Sequence, residues 1–185
     1  PARIAKKGVS RTFQHVELFG HMTVLENIMV GRHPRTRAGF ISSGLRLPHA
    51  VREDREIQKK SKEILEYVGL ENRENELASN LPIGEERILE IGRALATEPK
   101  LLLLDEPASG LNEAETRSLS GFIRRLRGEL NLTIILVEHD MKLVMDISDN
   151  IVVLDFGEKL AEGSPEEIKN NKLVIDAYLG EEDVL

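Results

Sequence analysis

The chain has no cysteine and no tryptophan. Without thiols, disulfide staples, thiol nucleophiles and cysteine-based zinc sites are all excluded. Aromatic residues make up only 4%, too few for a base-stacking platform. The five histidines are scattered, and none pairs with another at metal-ligand spacing. Positive charge is short as well. Twenty-five Lys and Arg against 32 Asp and Glu give a formal charge of −7, and no basic stripe is present to neutralise the phosphates of a nucleic acid. No apolar run approaches the ~20 residues of a membrane span. What is present is a 185-residue chain of ordinary globular composition, enough for one domain with a real core or a core plus a small subdomain.

Punctuation and periodicity divide the chain into a helical first part and an alternating second part. Val9–Phe13 reads as a short strand ending at Gln14. Thr23 caps a helix through Val30, with Glu26 at the capping-box position. Residues 31–50 hold Gly31, Pro34, Gly39, Ser42, Ser43, Gly44 and Pro48, a loop by composition. From about 51 to 68, Ile57, Ile64, Leu65 and Val68 lie among charges and predict an amphipathic helix ended by Gly69. A second helix is expected from about Glu85 to Ala96. Then strand and helix alternate: Leu101–Asp105, helix 113–130, Leu132–Val137, helix 141–147, Ile151–Leu154. That order predicts a parallel sheet with right-handed crossovers. Phe156-Gly157-Glu158 turns the chain into a last strand at 159–161. Ser164-Pro165-Glu166-Glu167 starts a helix, with Ser as cap, Pro at the first position and acids in the first turn.

The most informative segment is Leu101–Pro107, four leucines followed by Asp105, Glu106 and Pro107. So short an unbroken apolar run suits a strand buried on both faces of a parallel sheet. Acids just past its end stand where open α/β sheets place their ligands. Asp105 can hold Mg²⁺ through water, and Glu106 can orient or deprotonate an attacking water. Taken alone, Asp-Glu-Pro is equally a turn that stops a strand. Four further segments alter that balance, because they follow in a set order: Thr12-Phe13-Gln14, Leu81-Pro82-Ile83-Gly84-Glu85, Ser109-Gly110-Leu111-Asn112 and Val137-Glu138-His139-Asp140. A Ser109–His139–Asp140 hydrolase is disfavoured, because no G-x-S-x-G elbow is present.

These five segments resemble the Q-loop, signature, Walker B, D-loop and switch histidine of ABC-transporter ATPase subunits. Arg11-Thr12-Phe13-Gln14, the Leu-Pro-x-Gly signature, the insert at 33–50 and the ending Val174–Glu181 narrow the resemblance to branched-chain amino-acid importers. It implies an α/β fold, a parallel-sheet P-loop NTPase-like core with an inserted helical subdomain, N-terminally truncated. The implied boundaries are 1–14 for the end of the N-terminal part of the core, 15–98 for the helical and signature subdomain, 99–163 for the α/β core and 164–185 for a helical tail. It also implies ATP and Mg²⁺ as cofactors. Asp105 and Gln14 would serve the metal, the former through water, and Glu106, His139 and Gln14 would be catalytic. Leu81, Pro82, Ile83, Gly84, Glu85 and Asn112 would bind nucleotide across a head-to-tail dimer. Implied partners are membrane-spanning permease subunits, a second ATPase subunit and, indirectly, a substrate-binding protein, but no nucleic acid. The implied location is the cytoplasmic face of the membrane.

The sequence departs from the family pattern in four places. Pro82 and Ile83 replace a serine and a glycine of the usual signature, and Glu86 stands where the importers often have Gln. Asn112 replaces an aspartate, keeping its size and acceptor but losing the charge. No G-x-x-x-x-G-K-[ST] occurs in the 185 residues, so the loop that cradles phosphates is missing. The resulting expectation is the C-terminal part of a longer ATPase subunit, inactive alone. A non-transport ABC ATPase and a non-hydrolysing scaffold are the alternatives.

Overall fold

A computed structural model describes residues 2–5, 7–14, 17–33 and 48–178. A one-turn helix α1 (Ala2–Ala5) leads into strand β1 (Val9–Arg11). Helix α2 (Val24–Arg32) starts at the predicted capping box: Thr23 accepts from the Glu26 N–H, and Glu26 accepts from the Thr23 N–H. Helix α3 (Pro48–Tyr67) is the predicted amphipathic helix. It ends at Gly69, whose φ of +79° carries paired bonds from Leu70 N–H to Leu65 O and from Gly69 N–H to Glu66 O. Glycine adopts that left-handed conformation without steric cost. The predicted 31–50 loop is shorter than expected at both ends, since Gly31 and Arg32 still belong to α2 and Pro48 opens α3. Residues 34–47, the middle of that loop, lie outside the described residues.

Helix α4 (Ile83–Leu95) begins two residues before the expected Glu85. Strand β2 (Leu101–Asp105), helix α5 (Glu113–Leu130), strand β3 (Thr133–Val137) and helix α6 (Met141–Ile147) follow as read from the sequence. The parallel sheet has order β1-β2-β3, with Val9 opposite Leu101 and Asp105 opposite Val137. All three carboxyl ends therefore lie on one edge.

Two expectations need correction. Strand β4 (Ile151–Asp155) does not join the parallel sheet. It pairs antiparallel with β5 (Glu158–Gly163) as a separate two-stranded sheet. Phe156 and Gly157 both have positive φ, +44° and +83°, the backbone of a two-residue hairpin turn, which favours antiparallel pairing. Nor is β2 buried on both faces. Leu102 and Leu104 are buried, whereas Leu101 and Leu103 are half-buried, and neighbouring Ile135 and Val137 are 50% and 57% exposed. Among the described residues, only one face of the sheet is covered.

One apolar cluster runs from Val24 and Ile28 of α2 through Leu89 and Ile91 of α4 to Leu102, Leu104, Leu119 and Leu126. A smaller cluster joins the hairpin to helices α7 (Pro165–Lys169) and α8 (Lys172–Tyr178) through Ile151, Val153, Ile168 and Val174. Leu179, Gly180 and Glu181 of the importer-like ending lie outside the described residues.

The closest helix contact generates a prediction. A Cβ on Gly31 would stand 2.2 Å from the carbonyl oxygen of Arg93, so α2 and α4 touch only because residue 31 has no side chain. Gly31→Ala should cost roughly 1–3 kcal/mol, the scale of overpacking a core. Gly121→Ala, in open space on α5, should instead gain about 0.5–1 kcal/mol. Urea denaturation of the two variants checks both signs.

Candidate nucleotide-hydrolysis site

β1 delivers Gln14 to the sheet edge. Buried Thr12 donates its N–H to Leu103 O, and its hydroxyl oxygen accepts from the Asp105 N–H at 3.4 Å. The chain then leaves the sheet, and the Gln14 amide Nε2 donates to Glu106 Oε2 at 2.9 Å. One residue pair over, Arg11 bonds Asp105 Oδ2 at 2.7 Å. Gln14, Asp105 and Glu106, separated by some 90 residues, thus share one sheet edge.

Glu106 itself has φ of +44°, an uncommon conformation for a non-glycine residue that costs about 1–3 kcal/mol and gathers at functional sites. Its N–H donates to Val137 O, and its carbonyl accepts from Ser109 N–H. The carboxylate is therefore presented from a tight turn fixed on both sides. Glu138, its side chain 1% exposed, ties that turn to β3: Oε1 accepts from Ala108 N–H at 2.8 Å and Oε2 from His139 N–H at 3.1 Å. His139 follows with its ring 74% exposed. Asp140 is occupied as the cap of α6, accepting from Leu143 N–H, a further reason against a Ser109–His139–Asp140 triad.

The signature segment divides by role. The Leu81 side chain is buried in the core, leaving only its backbone to a ligand. Pro82 is the N-cap of α4 and offers no side-chain acceptor, and Ile83 is 41% exposed. An uncapped helix start turns N–H groups outward and favours anions. Glu85 in that first turn would oppose them, but Arg73 pairs with it at 2.6 Å and 3.1 Å. Ile83 also packs close to Gly110, where a Cβ would stand 3.0 Å from its Cδ1. Asn112 is the N-cap of α5. Its Oδ1 accepts from the N–H groups of Ala114 and Glu115, and Glu115 completes a capping box.

Sequence reasoning missed Arg87 and Glu90. Both are buried on α4, their charges 3.9 Å apart. Arg87 donates to Gln14 O at 3.0 Å and to Ser109 O at 3.1 Å, and Glu90 accepts from Phe13 N–H at 3.0 Å. One helix turn thereby holds the backbone on both sides of Gln14–Glu106. The signal available was two opposite charges three residues apart on the face of α4 that Ile91, Ala94 and Leu95 bury.

No three His, Cys, Asp or Glu side chains among the described residues cluster to hold a metal. The two carboxylates and the Gln14 amide nonetheless suit a hard cation that arrives with a nucleotide and draws its other ligands from phosphate and water.

Comparison with known proteins agrees with this geometry. A family model described as ABC transporter matches residues 1–109, and one described as branched-chain amino acid ATP-binding cassette transporter matches residues 158–184. The chain is 51% identical over 179 residues to the high-affinity branched-chain amino acid transport ATP-binding protein LivG of Salmonella typhimurium, covering 97% of this chain and 70% of that protein. BraF of Pseudomonas aeruginosa, of the same description, is 48% identical over the same shares. Among solved structures, a nucleotide-free ATP-binding cassette from an ABC transporter superposes with a TM-score of 0.79 at 30% identity, over 96% of this chain and 71% of that one. The ADP conformation of an ATP-binding cassette gives 0.79 at 28% identity, over 97% and 71%.

Burial pushes the Glu90 carboxyl above its usual range, a shift that the Phe13 N–H and the Arg87 charge oppose. The folded protein then holds this proton at pH values where the unfolded chain has released it. Stability contributed by Glu90 must therefore fall as pH rises from about 4.5, its ordinary value, through the raised one. Glu90→Gln removes that slope. Urea titrations across pH should find wild type losing stability relative to the variant as pH increases through this window, and a difference that stayed flat would show the carboxyl to be unperturbed.

Proposed function

The chain belongs to the family of ABC transporter ATP-binding proteins, and we propose that it is the ATP-hydrolysing subunit of an importer for branched-chain amino acids. The observation that carries the substrate class is identity near 50%, over 97% of the chain, to proteins described as branched-chain amino acid transport ATP-binding proteins. The chemistry is supported by the edge that gathers Gln14, Asp105 and Glu106.

Bound Mg-ATP supplies the phosphoanhydride to be cleaved and the cation that neutralises its charge. Glu106 takes the proton of the attacking water, for which its carboxylate must exchange the Gln14 amide for that water. Asp105, held here by Arg11, would hold the metal through water. Gln14, once released from Glu106, would offer one amide that both accepts and donates at the metal and phosphate. His139 donates to the terminal phosphate from its exposed ring. The start of α4 serves the nucleotide of a second subunit in a head-to-tail dimer, where Arg73 masks the charge of Glu85. The 185 residues alone, without a phosphate-cradling loop, should bind Mg-ATP no more tightly than the millimolar range.

Permease subunits are the proposed partners at the segment after Gln14. Leu18 packs on the core and Met22 is half-buried, but Phe19 is 41% exposed beneath Arg93, whose guanidinium lies 5.7 Å from the ring centre. Val16, expected on the same surface, lies outside the described residues.

Two experiments on the full-length subunit test this reading. Glu106→Gln should lower ATP turnover by about 10²–10⁴-fold while ATP still binds and the dimer accumulates. Near-normal turnover would assign the base elsewhere. Phe19→Asp should weaken co-purification with the permease subunits by tenfold or more, the scale of an interface anchor, without lowering the melting temperature. Unchanged assembly and transport would eliminate this docking surface.

A further inference from the structure

The reaction proposed above gives no part to Glu138, the acid between the end of β3 and His139. Its side chain is 1% exposed. Among the described residues no lysine or arginine pairs with it, and the ring nitrogen Nδ1 of His139 stands 3.9 Å away. A carboxylate taken out of water without a firm cation is costly, and it persists where hydrogen bonds compensate. Two backbone N–H groups do so here, one for each oxygen. Oε1 accepts from Ala108 at 2.8 Å and Oε2 from His139 at 3.1 Å.

The order of these contacts along the chain singles Glu138 out. Val137 O accepts from the Glu106 N–H, so two successive residues grip the 106–108 turn at both ends, one by its backbone and one by its side chain. The third successive residue is His139. The turn needs holding, because Glu106 has φ of +44° and such strain persists only where the surroundings fix it. Ala108 belongs to no helix or strand, and its N–H is met by the Glu138 side chain instead of a ladder.

We propose that Glu138 is a positioning residue for hydrolysis: by bonding two loops through one carboxylate, it holds the turn that presents Glu106 in register with His139. The roles of Glu106 and His139 rest on the function proposed above; the link between their loops does not. Only an acid suits this task. Lysine and arginine have no acceptor, serine and threonine offer one oxygen on a short stem, and glutamine would turn an NH₂ group toward one of the two donors. The link is also buried, unlike the exposed contacts of Gln14 with Glu106 and of Arg11 with Asp105. Those side chains change partners during turnover, and Glu138 keeps the two loops together while they do.

Amide hydrogen exchange and steady-state kinetics on the full-length subunit test this. In the wild type without nucleotide, the Ala108 amide should be protected although it lies outside helix and strand. Free exchange there would overturn the proposal even if no variant folded. Glu138→Gln should speed exchange at Ala108, at His139 or at both by about tenfold or more, with the amides of β2 unchanged. An equal rise across β2 would mark general destabilisation and overturn the positioning role. With Mg-ATP, kcat of this variant should fall about ten- to hundredfold, with KM within about threefold of wild type. Glu138→Asp keeps the charge but is one methylene too short to span both donors, and its kcat should fall as well. Unchanged kcat in Glu138→Gln, a loss confined to KM, or full activity in Glu138→Asp would each overturn the proposal. Glu106→Gln, measured alongside, separates the two readings. Near-normal turnover in that variant would remove the assigned base, while exchange at Ala108 and His139 would still decide the link. Turnover lost there but intact in Glu138→Gln would remove the positioning role alone.

Discussion

The arrangement of this molecule depends on the buried pair Arg87–Glu90. After Thr12 the chain leaves the sheet, and after Asp105 it makes a strained turn. Beyond the N–H groups of Thr12 and Glu106, which donate to Leu103 O and Val137 O, these segments leave the sheet ladder. Arg87 supplies donors to the carbonyls of Gln14 and Ser109, and Glu90 accepts the N–H of Phe13. Removing one member of such a pair strands a buried charge, at a cost on the order of 3–5 kcal/mol. The pair is therefore a hinge with little freedom: displacement of the Gln14 backbone must move α4 or break these bonds. Since α4 begins at Ile83 and Gly84, three hydrogen bonds and one helix turn connect the Gln14–Glu106 edge to the start of that helix.

The sheet shows a second constraint. A parallel sheet is usually covered on both faces, and its strands then read as continuous apolar runs. Leu101–Leu104 and Ile134–Val137 are written for that environment. Here Leu102 and Leu104 pack on the core while Ile135 and Val137 stay half-exposed. Composition reports the burial a strand is suited to, not the burial that 185 residues supply, so the run predicted the strand and its direction correctly and overstated its cover. The chain spans 70% of the length of the LivG relatives.

Local chemistry was the most legible part of the fold. Thr23-x-x-Glu26, Gly69 and Ser164-Pro165-Glu166-Glu167 act within one helical turn, so their neighbours in sequence are their partners in space, and the structure has each where it was read. The turn into β5 was read as such, but Ile151–Leu154 was assigned to the parallel sheet because it carries no mark of its partner's direction; that information sits in the two-residue turn at Phe156-Gly157. At the site, Gln14, Asp105, Glu106 and His139 were read as candidates from order and residue type, and the first three share one sheet edge. Arg87, Glu90, Glu138 and Arg11 were not, because each works through a contact between 22 and 94 residues away. A charge on an apolar helix face signals such a contact without naming the other end.

Two strengths of interaction coexist at the sheet edge, and their difference matters for catalysis. Arg11–Asp105 and Gln14–Glu106 are exposed contacts. A solvent-exposed ion pair is worth at most about 1 kcal/mol, so Arg11 leaves Asp105 at small cost, and under the proposed function a metal ion and its phosphate ligands would displace both Arg11 and the Gln14 amide. Arg87–Glu90 is buried, and the Glu138 carboxylate that accepts from Ala108 and His139 is 1% exposed, so these contacts are not so readily displaced. The carboxylates thus exchange partners while the backbone presenting them stays fixed. General-base catalysis, the role proposed for Glu106, requires both, a carboxylate free to meet a water and a backbone that holds it to within a fraction of an ångström when it does. The left-handed backbone at Glu106 fits the same logic: its strain is sustained by the Val137 and Ser109 bonds, not by the side-chain contact that turnover must break.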